Sequence, residues 1–221
     1  MLVQILTLIR KEFLLEYRQK SALSGVLLYL SSTIFVCYLS FSMGKNALHP
    51  ITWNALLWII LLFISANAIG KSFLQEREGR LMYFYTLFRP EVLILAKMLY
   101  NAVLMFGIGG LGFLMYALVL GNPIADMGLF VLILALGAIG LGFSLTFIAS
   151  IAAQAQNSAT LMAVLGFPIT LPLLLLLIRL SKNALDGLAW SVSYDKLLMV
   201  GLIDLLCLAL GYLLFPYIWR S

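Results

Sequence analysis

MGLFVLILALGAIGLGFSLTFIASI, residues 127–151, carries no charged side chain from one end to the other. A bilayer's hydrocarbon core is crossed by about 20 mainly apolar residues in a helix. Only helices and closed barrels leave no backbone group unpaired in lipid. Barrel strands alternate apolar with polar residues, and this run does not, so it reads as a membrane-spanning helix. Five more runs qualify on the same ground: 22–43, 51–69, 98–120, 158–178 and 197–218.

The whole composition agrees with that reading. Of 221 residues, 63% are hydrophobic and 10% charged, with mean hydropathy +1.07. A soluble domain covers itself with about 25% charged residues. The expected fold class is therefore an all-α integral membrane protein of six spans, with residues 1–221 forming a single transmembrane domain. The net charge of +5 is the loop bias of such proteins and not a nucleic-acid footprint. Cys37 and Cys207 lie inside apolar runs and read as packing thiols. Residues 1–20 mix Glu12 and Glu16 with Arg10, Lys11, Arg18 and Lys20, which does not fit a cleaved signal peptide.

Basic residues set the expected orientation. The N-terminal segment holds Arg10, Lys11, Arg18 and Lys20, and the second loop holds Lys71, Arg77, Arg80, Arg89 and Lys97. The first loop has only Lys45, while the fifth, with Arg179, Lys182 and Lys196, opposes the trend. Both termini are expected in the cytoplasm. Residues 2–20 repeat Leu2, Ile5, Leu6, Ile9 and Phe13 at helical spacing, with Gln4, Thr7, Lys11 and Arg18 on another face. That pattern predicts an interfacial helix, apolar side down in the headgroup layer.

Two nucleotide motifs fail on context. Gly70-Lys71-Ser72 ends like a P-loop, but the required glycine five positions earlier is Ser65, and a membrane helix precedes it. GIGGLG at 107–112 lies within an apolar run with no acidic residue about 20 positions on. Its glycines, like Gly137, Gly140 and Gly142, read as close-packing positions between helices.

Residues 71–90 form a cytosolic loop of unusual pattern: Lys71, Glu76, Arg77, Glu78 and Arg80, then LMYFYTLF, then Arg89-Pro90. An apolar aromatic run in a loop marks an interaction surface or lies on the membrane, and chemistry alone leaves both open. Pro90 is expected to end its helix.

An interfacial helix, two spans, this loop and four more spans together resemble the membrane subunit of an export-type ABC transporter. The chain is most similar to the haem exporter B subunit, the CcmB family of cytochrome c maturation. KSFLQEREGRLMYFYTLFRPEVLILAKMLYNAV (71–103) and GFPITLPLLLLLI (166–178) carry the resemblance. Phe73, Glu76, Glu78, Gly79, Leu81, Pro90 and Lys97 match the family's loop pattern, whereas Met82-Tyr83-Phe84 stand where many members are polar. The resemblance implies a permease without its own ATPase, in a bacterial inner membrane. Its ATPase-coupling residues are then Phe73, Glu76, Glu78, Gly79, Arg80, Leu81, Tyr83, Phe84 and Pro90. It further implies no cofactor held by this chain, haem as cargo, ATP bound by an ABC ATPase subunit, haem-handling membrane partners, a second permease copy and surrounding lipid. Cargo identity is not legible in residue types, so an exporter of a lipid or drug stays open, as does a membrane scaffold that recruits a soluble protein.

Within the spans, Asp204 is expected to face the bundle or a partner, or to sit protonated. Pro168 and Pro172 are expected to kink the fifth span as a hinge, a cavity wall or a packing device. Asn67 and Asn101 are expected at solvated span ends, and Gln154, Gln156 and Asn157 mark the turn before the fifth span. His49, the sole histidine, is expected to be a solvated loop residue, and Arg179 and Lys182 to meet phospholipid headgroups or haem propionates.

Overall fold

The computed structural model describes residues 2–18, 20–42, 48–77, 88–153 and 158–219. Among these it is all-helical: α1 (Leu2–Arg18), α2 (Lys20–Ser42), α3 (Pro50–Arg77), α4 (Pro90–Leu120), α5 (Met127–Ala152), α6 (Ser158–Leu185), a short 3-10 turn (Trp190–Val192) and α7 (Tyr194–Trp219). Helices α2 to α7 are each long and apolar enough to cross a membrane. This agrees with the six runs of the sequence, but three helices overrun them by more than a turn. α3 continues to Arg77, α4 begins at Pro90 and α6 ends at Leu185.

α5 is the axle of the bundle. Its span is 72% buried inside the protein, against 17% for α2, and it packs against α3, α4, α6 and α7. Small residues allow this. A β-carbon on Gly137 would stand 2.5 Å from the Trp58 ring, and one on Gly142 would stand 2.7 Å from the Ala102 Cα. In lipid the apolar effect does not hold helices together, so close backbone approach and side-chain hydrogen bonds do that work. The GIGGLG stretch divides. A β-carbon on Gly112 would stand 3.3 Å from Leu30 and Leu61 and one on Gly109 3.9 Å from Leu134, whereas Gly107 and Gly110 face open space. Packing therefore explains only two of its glycines.

The outer end, by the expected orientation, is knotted by tryptophans. Trp53 Nε1 donates to the Gly121 carbonyl at 3.0 Å, and the Tyr116 hydroxyl donates to the Trp53 carbonyl at 3.0 Å. The Trp53 and Tyr116 rings meet edge-on at 5.0 Å. α6 ends with Gly187 at φ 64°, and Leu188 N–H bonds the Asn183 carbonyl at 3.0 Å. This is a Schellman closure, which needs a left-handed residue where only glycine is unstrained.

Candidate functional site

Phe73 and Glu76 lie on the last two turns of α3, beyond Gly70 where its apolar window closes. Seven further residues at helical rise carry the backbone about 10 Å out of the apolar layer. Glu78, Gly79, Arg80, Leu81, Tyr83 and Phe84 lie outside the described residues, as do Gln154, Gln156 and Asn157.

Pro90 falls inside them and corrects one expectation. It opens α4 at the first helical position, where its fixed φ suits the helix and its missing N–H costs nothing. Arg89 precedes it in an extended conformation, and the Arg89 carbonyl accepts from Val92 N–H at 3.0 Å and Leu93 N–H at 3.2 Å. The third span thus starts eight residues earlier than position 98, and Lys97 is buried at 5% exposure instead of opening the span at the surface.

This first stretch of α4 is the platform on which α1 lies. Ile5 and Leu8 pack against Val92 and Ala96, with Ile9, Phe88 and Leu95 around them. Lys11 Nζ and Glu12 Oε1 pair at 2.8 Å, the Tyr100 hydroxyl donates to Glu16 Oε2 at 3.3 Å, and the Phe13 ring meets the Tyr100 ring edge-on at 5.0 Å. The amphipathic helix is therefore real, but its apolar residues divide. Ile5, Leu8 and Ile9 face the protein, while Leu6 at 65% and Leu14 at 54% exposure face outward. Burial against α4 raises the Glu16 carboxyl above the usual range, the Tyr100 hydroxyl opposes that rise, and Glu12 adds to it. The end of the loop, at Phe88, thus joins α4 and α1 in one packed cluster.

Deeper in the bundle, polar side chains join helices in pairs. Asn101 Nδ2 donates to Thr146 Oγ1 at 2.8 Å across α4 and α5, and Thr146 donates to the Gly142 carbonyl at 2.5 Å. Asn101 is 1% exposed, so the expectation of a solvated span end is wrong. With α4 starting at Pro90, position 101 lies three turns inside the helix. Asn67 remains exposed, as expected. Trp58 Nε1 donates to Ser181 Oγ at 2.7 Å, and Asn54 Nδ2 donates to the Ile178 carbonyl at 2.8 Å, both tying α3 to α6. Pairs 123 and 124 residues apart have no local signature, and the sequence reading missed them. Trp58 and Asn54 on one face of α3, four residues apart, were the available hint.

Asp204 faces the bundle, one of the outcomes expected of it, at 5% exposure. Its Oδ1 presses on Gly140 of α5 and finds no hydrogen-bond partner among the described residues, while Leu173 of α6 closes the junction. Orphaned buried oxygens also occur at Asn54 and Asn101, so each of these helix pairs holds unsatisfied polarity at depth. Pro168 and Pro172 lie inside an α6 that runs unbroken from Ser158 to Leu185. Both are exposed on the outer flank of the bundle, with buried Thr170 between them. Asp204 is buried, so the two exposed prolines and the carboxyl face different surroundings.

At the same end of the bundle as Trp53, Asp126 caps α5. Leu129 N–H donates to Oδ1 at 2.9 Å and Trp190 Nε1–H donates to Oδ2 at 2.7 Å. These bonds, the backbone one first, hold the Asp126 carboxyl below the usual range. Arg179 and Lys182 are exposed near the C-terminal end of α6. His49 is exposed, and its Nδ1 accepts from Ile51 N–H at 3.4 Å at the start of α3. Cys37 and Cys207 are both free thiols, half-buried and buried respectively.

Among models of known protein families, that of the CcmB protein matches residues 3–216 of the chain. No curated protein matches it.

Proposed function

The chain belongs to the CcmB family, whose members are membrane components of haem export in cytochrome c maturation, and we propose that it is the permease subunit of an ABC-type assembly driven by a separate ATPase chain. The observation that carries the reading is a family match over residues 3–216, a length that takes in five spans, all but the last residue of the sixth, and the loop between α3 and α4. The cargo in this reading is haem, exported or delivered on the outer side, with haem-handling membrane subunits and a second permease copy in the same assembly. The chain itself hydrolyses nothing and sits in a bacterial inner membrane with both termini in the cytoplasm.

The mechanical side of the proposal follows from the platform on α4. An ATPase docked on Phe73, Glu76, Glu78, Gly79, Arg80, Leu81, Tyr83 and Phe84 pulls on a loop that ends directly in Pro90. Pro90 begins the rigid helix on which α1 rests through Ile5, Leu8, Val92 and Ala96. Motor closure then moves α4 and α1 together and reaches α5 through the Asn101–Thr146 bond and the Ala102–Gly142 contact. A ligand shifts such an equilibrium only by its differential affinity for the two arrangements. ATP bound by the partner supplies that difference.

Purification of the tagged chain tests the assignment. Co-isolation of an ATPase together with haem-handling subunits supports it. An ATPase alone points to another cargo, and no ATPase points to a scaffold. The double substitution Tyr83→Asp with Phe84→Asp is expected to release the ATPase while the chain stays inserted. A thiol placed at Gln75, after removal of Cys37 and Cys207, is expected to react with an impermeant label only in opened cells; labelling of intact cells overturns the orientation.

A further inference from the structure

The α6–α7 turn, GLAWSVSY at 187–194, carries no charged side chain, although Asp186 and Asp195 flank it. Leu188, Trp190, Val192 and Tyr194 are between 41% and 59% exposed on it. Four large apolar or aromatic side chains exposed together mark an interaction surface. The turn is not loose. Val192 N–H donates to the Ala189 carbonyl at 3.0 Å, Ser193 N–H to the Trp190 carbonyl at 2.9 Å, and Asn183 Nδ2 to the Oγ of buried Ser193 at 3.0 Å. It is also pinned to the start of α5: Asp126 N–H donates to the Ala184 carbonyl at 2.9 Å, and the Asp126 carboxyl accepts from the Trp190 indole N–H.

Depth and direction select what covers this surface. The flanking spans, Thr160–Leu185 and Tyr194–Tyr217, have 26 and 24 residues, about 39 and 36 Å at helical rise. A bilayer offers about 30 Å of hydrocarbon and about 40–45 Å with its headgroups. The ends of both helices, and the turn that joins them, therefore fall in the headgroup layer, where Trp and Tyr are enriched. Direction agrees with depth. Tyr194 heads a stripe of α7 that continues through Leu198, Leu202 and Leu205, all exposed along the span. A β-carbon on Gly128 would stand 3.7 Å from the Trp190 ring, which places that ring on the flank of α5, one turn before the exposed Val131 and Leu132. Both aromatic residues thus stand at the head of faces that the spans turn outward.

We infer that the α6–α7 turn is a membrane-surface anchor, with Leu188, Trp190, Val192 and Tyr194 lying against lipid in the headgroup layer. The indole N–H of Trp190 stays on Asp126, and the ring is what the lipid receives. Because the turn joins α6 to α7 and is bonded to the start of α5, the anchor fixes three helix ends at one depth. It depends on the spans alone and not on the cargo or the ATPase.

The test uses the full chain, with Cys37→Ala and Cys207→Ala, in vesicles of phosphatidylethanolamine and phosphatidylglycerol. A nitroxide is attached at Leu188→Cys or Val192→Cys. Its collisions are measured with oxygen, which concentrates in the bilayer, and with a nickel chelate, which stays in water. The oxygen-to-nickel ratio is expected to stand several-fold above that of the same label free in buffer and to approach that at Leu202→Cys, in the α7 stripe. A ratio equal to that of the free label puts the turn in water. Low collision rates with both reagents put it under protein, a second copy of this chain included. Either result overturns the inference. A second readout needs no introduced cysteine. The emission lost in Trp190→Phe is expected to be quenched by phospholipid brominated near the ester end of its acyl chains and spared by iodide in the buffer. The reverse pattern overturns the inference as well.

Discussion

Gly142 of α5 and Ala102 of α4 touch backbone to backbone: a β-carbon on Gly142 would lie 2.7 Å from the Ala102 Cα and 2.9 Å from its nitrogen. Backbone atoms cannot rotate away, so Gly142→Ala must push the two helices apart. The neighbouring Asn101–Thr146 bond at 2.8 Å would stretch with them. Gly137→Ala meets the Trp58 ring at 2.5 Å, and that ring is fixed by its bond to Ser181. Gly109→Ala meets only a Leu134 methyl at 3.9 Å. Overpacking of a tight core costs about 1–3 kcal/mol. The expected order of lost thermal stability in detergent is Gly142→Ala, then Gly137→Ala, with Gly109→Ala neutral or mildly stabilising. Equal losses at all three positions contradict the packing described.

The Asp204–Gly140 contact makes a second prediction, in the form of a cycle. Gly140→Ala drives a methyl group into the Asp204 carboxyl and stands 2.9 Å from Leu173. Asp204→Ala removes the carboxyl and leaves a small space. The double variant fits the new methyl into that space, so it is expected to be more stable than the sum of the single losses. Coupled neighbours deviate from additivity by about 0.5–3 kcal/mol. Additive losses would mean that the two residues do not meet.

How far the sequence reached is clearest at the ends of helices. Long apolar runs, uncharged but for Asp204, located all six spans, because membrane thickness is a constraint that one segment satisfies alone. Pro90 misled because proline both stops a helix and favours the first position of the next. Placing the third span eight residues late moved Asn101 to a surface where it does not sit. The division of α1 into an Ile5–Leu8–Ile9 face on protein and a Leu6–Leu14 face turned outward depends on where α4 lies, which local periodicity does not encode. The helix-to-helix bonds of Trp58, Asn54 and Asn101 are tertiary for the same reason. Asp204 was legible as a suspect because a carboxyl in lipid is rare, but its partner Gly140 was not.

A third prediction concerns the Asp126–Trp190 latch at the start of α5. The folded state holds the Asp126 carboxyl below its ordinary value of 3.8. A depressed acid contributes stability above its unfolded value and loses it as pH falls through the folded one. The Trp190 indole N–H is therefore expected to stay hydrogen-bonded from neutral pH down to the aspartate range and to be released only below it. Asp126→Asn keeps an acceptor oxygen but no titration, so its indole N–H resonance should be insensitive to acid. A wild-type indole signal that moves near pH 6 contradicts the assignment.

Glu16 behaves with the opposite sign, and this tests the α1 platform. Burial against α4 raises its carboxyl above the ordinary value of 4.5, with the Tyr100 O–H bond pulling it back and Glu12 pushing it further up. Between the ordinary and the raised value the folded chain binds more protons than the unfolded one, so stability falls as pH rises through that window. Glu16→Gln keeps an acceptor for Tyr100 and removes the charge. It is expected to flatten the decline and to raise thermal stability at neutral pH. Tyr100→Phe deletes the bond that favours the ionised form, so the decline should extend to higher pH. Glu12→Gln removes the like charge and should shorten it. Opposite movements in Tyr100→Phe and Glu12→Gln follow only if Glu16 sits on α4 beside both residues. Profiles that coincide with wild type would place α1 away from α4 and remove the mechanical link between loop, α4 and α1.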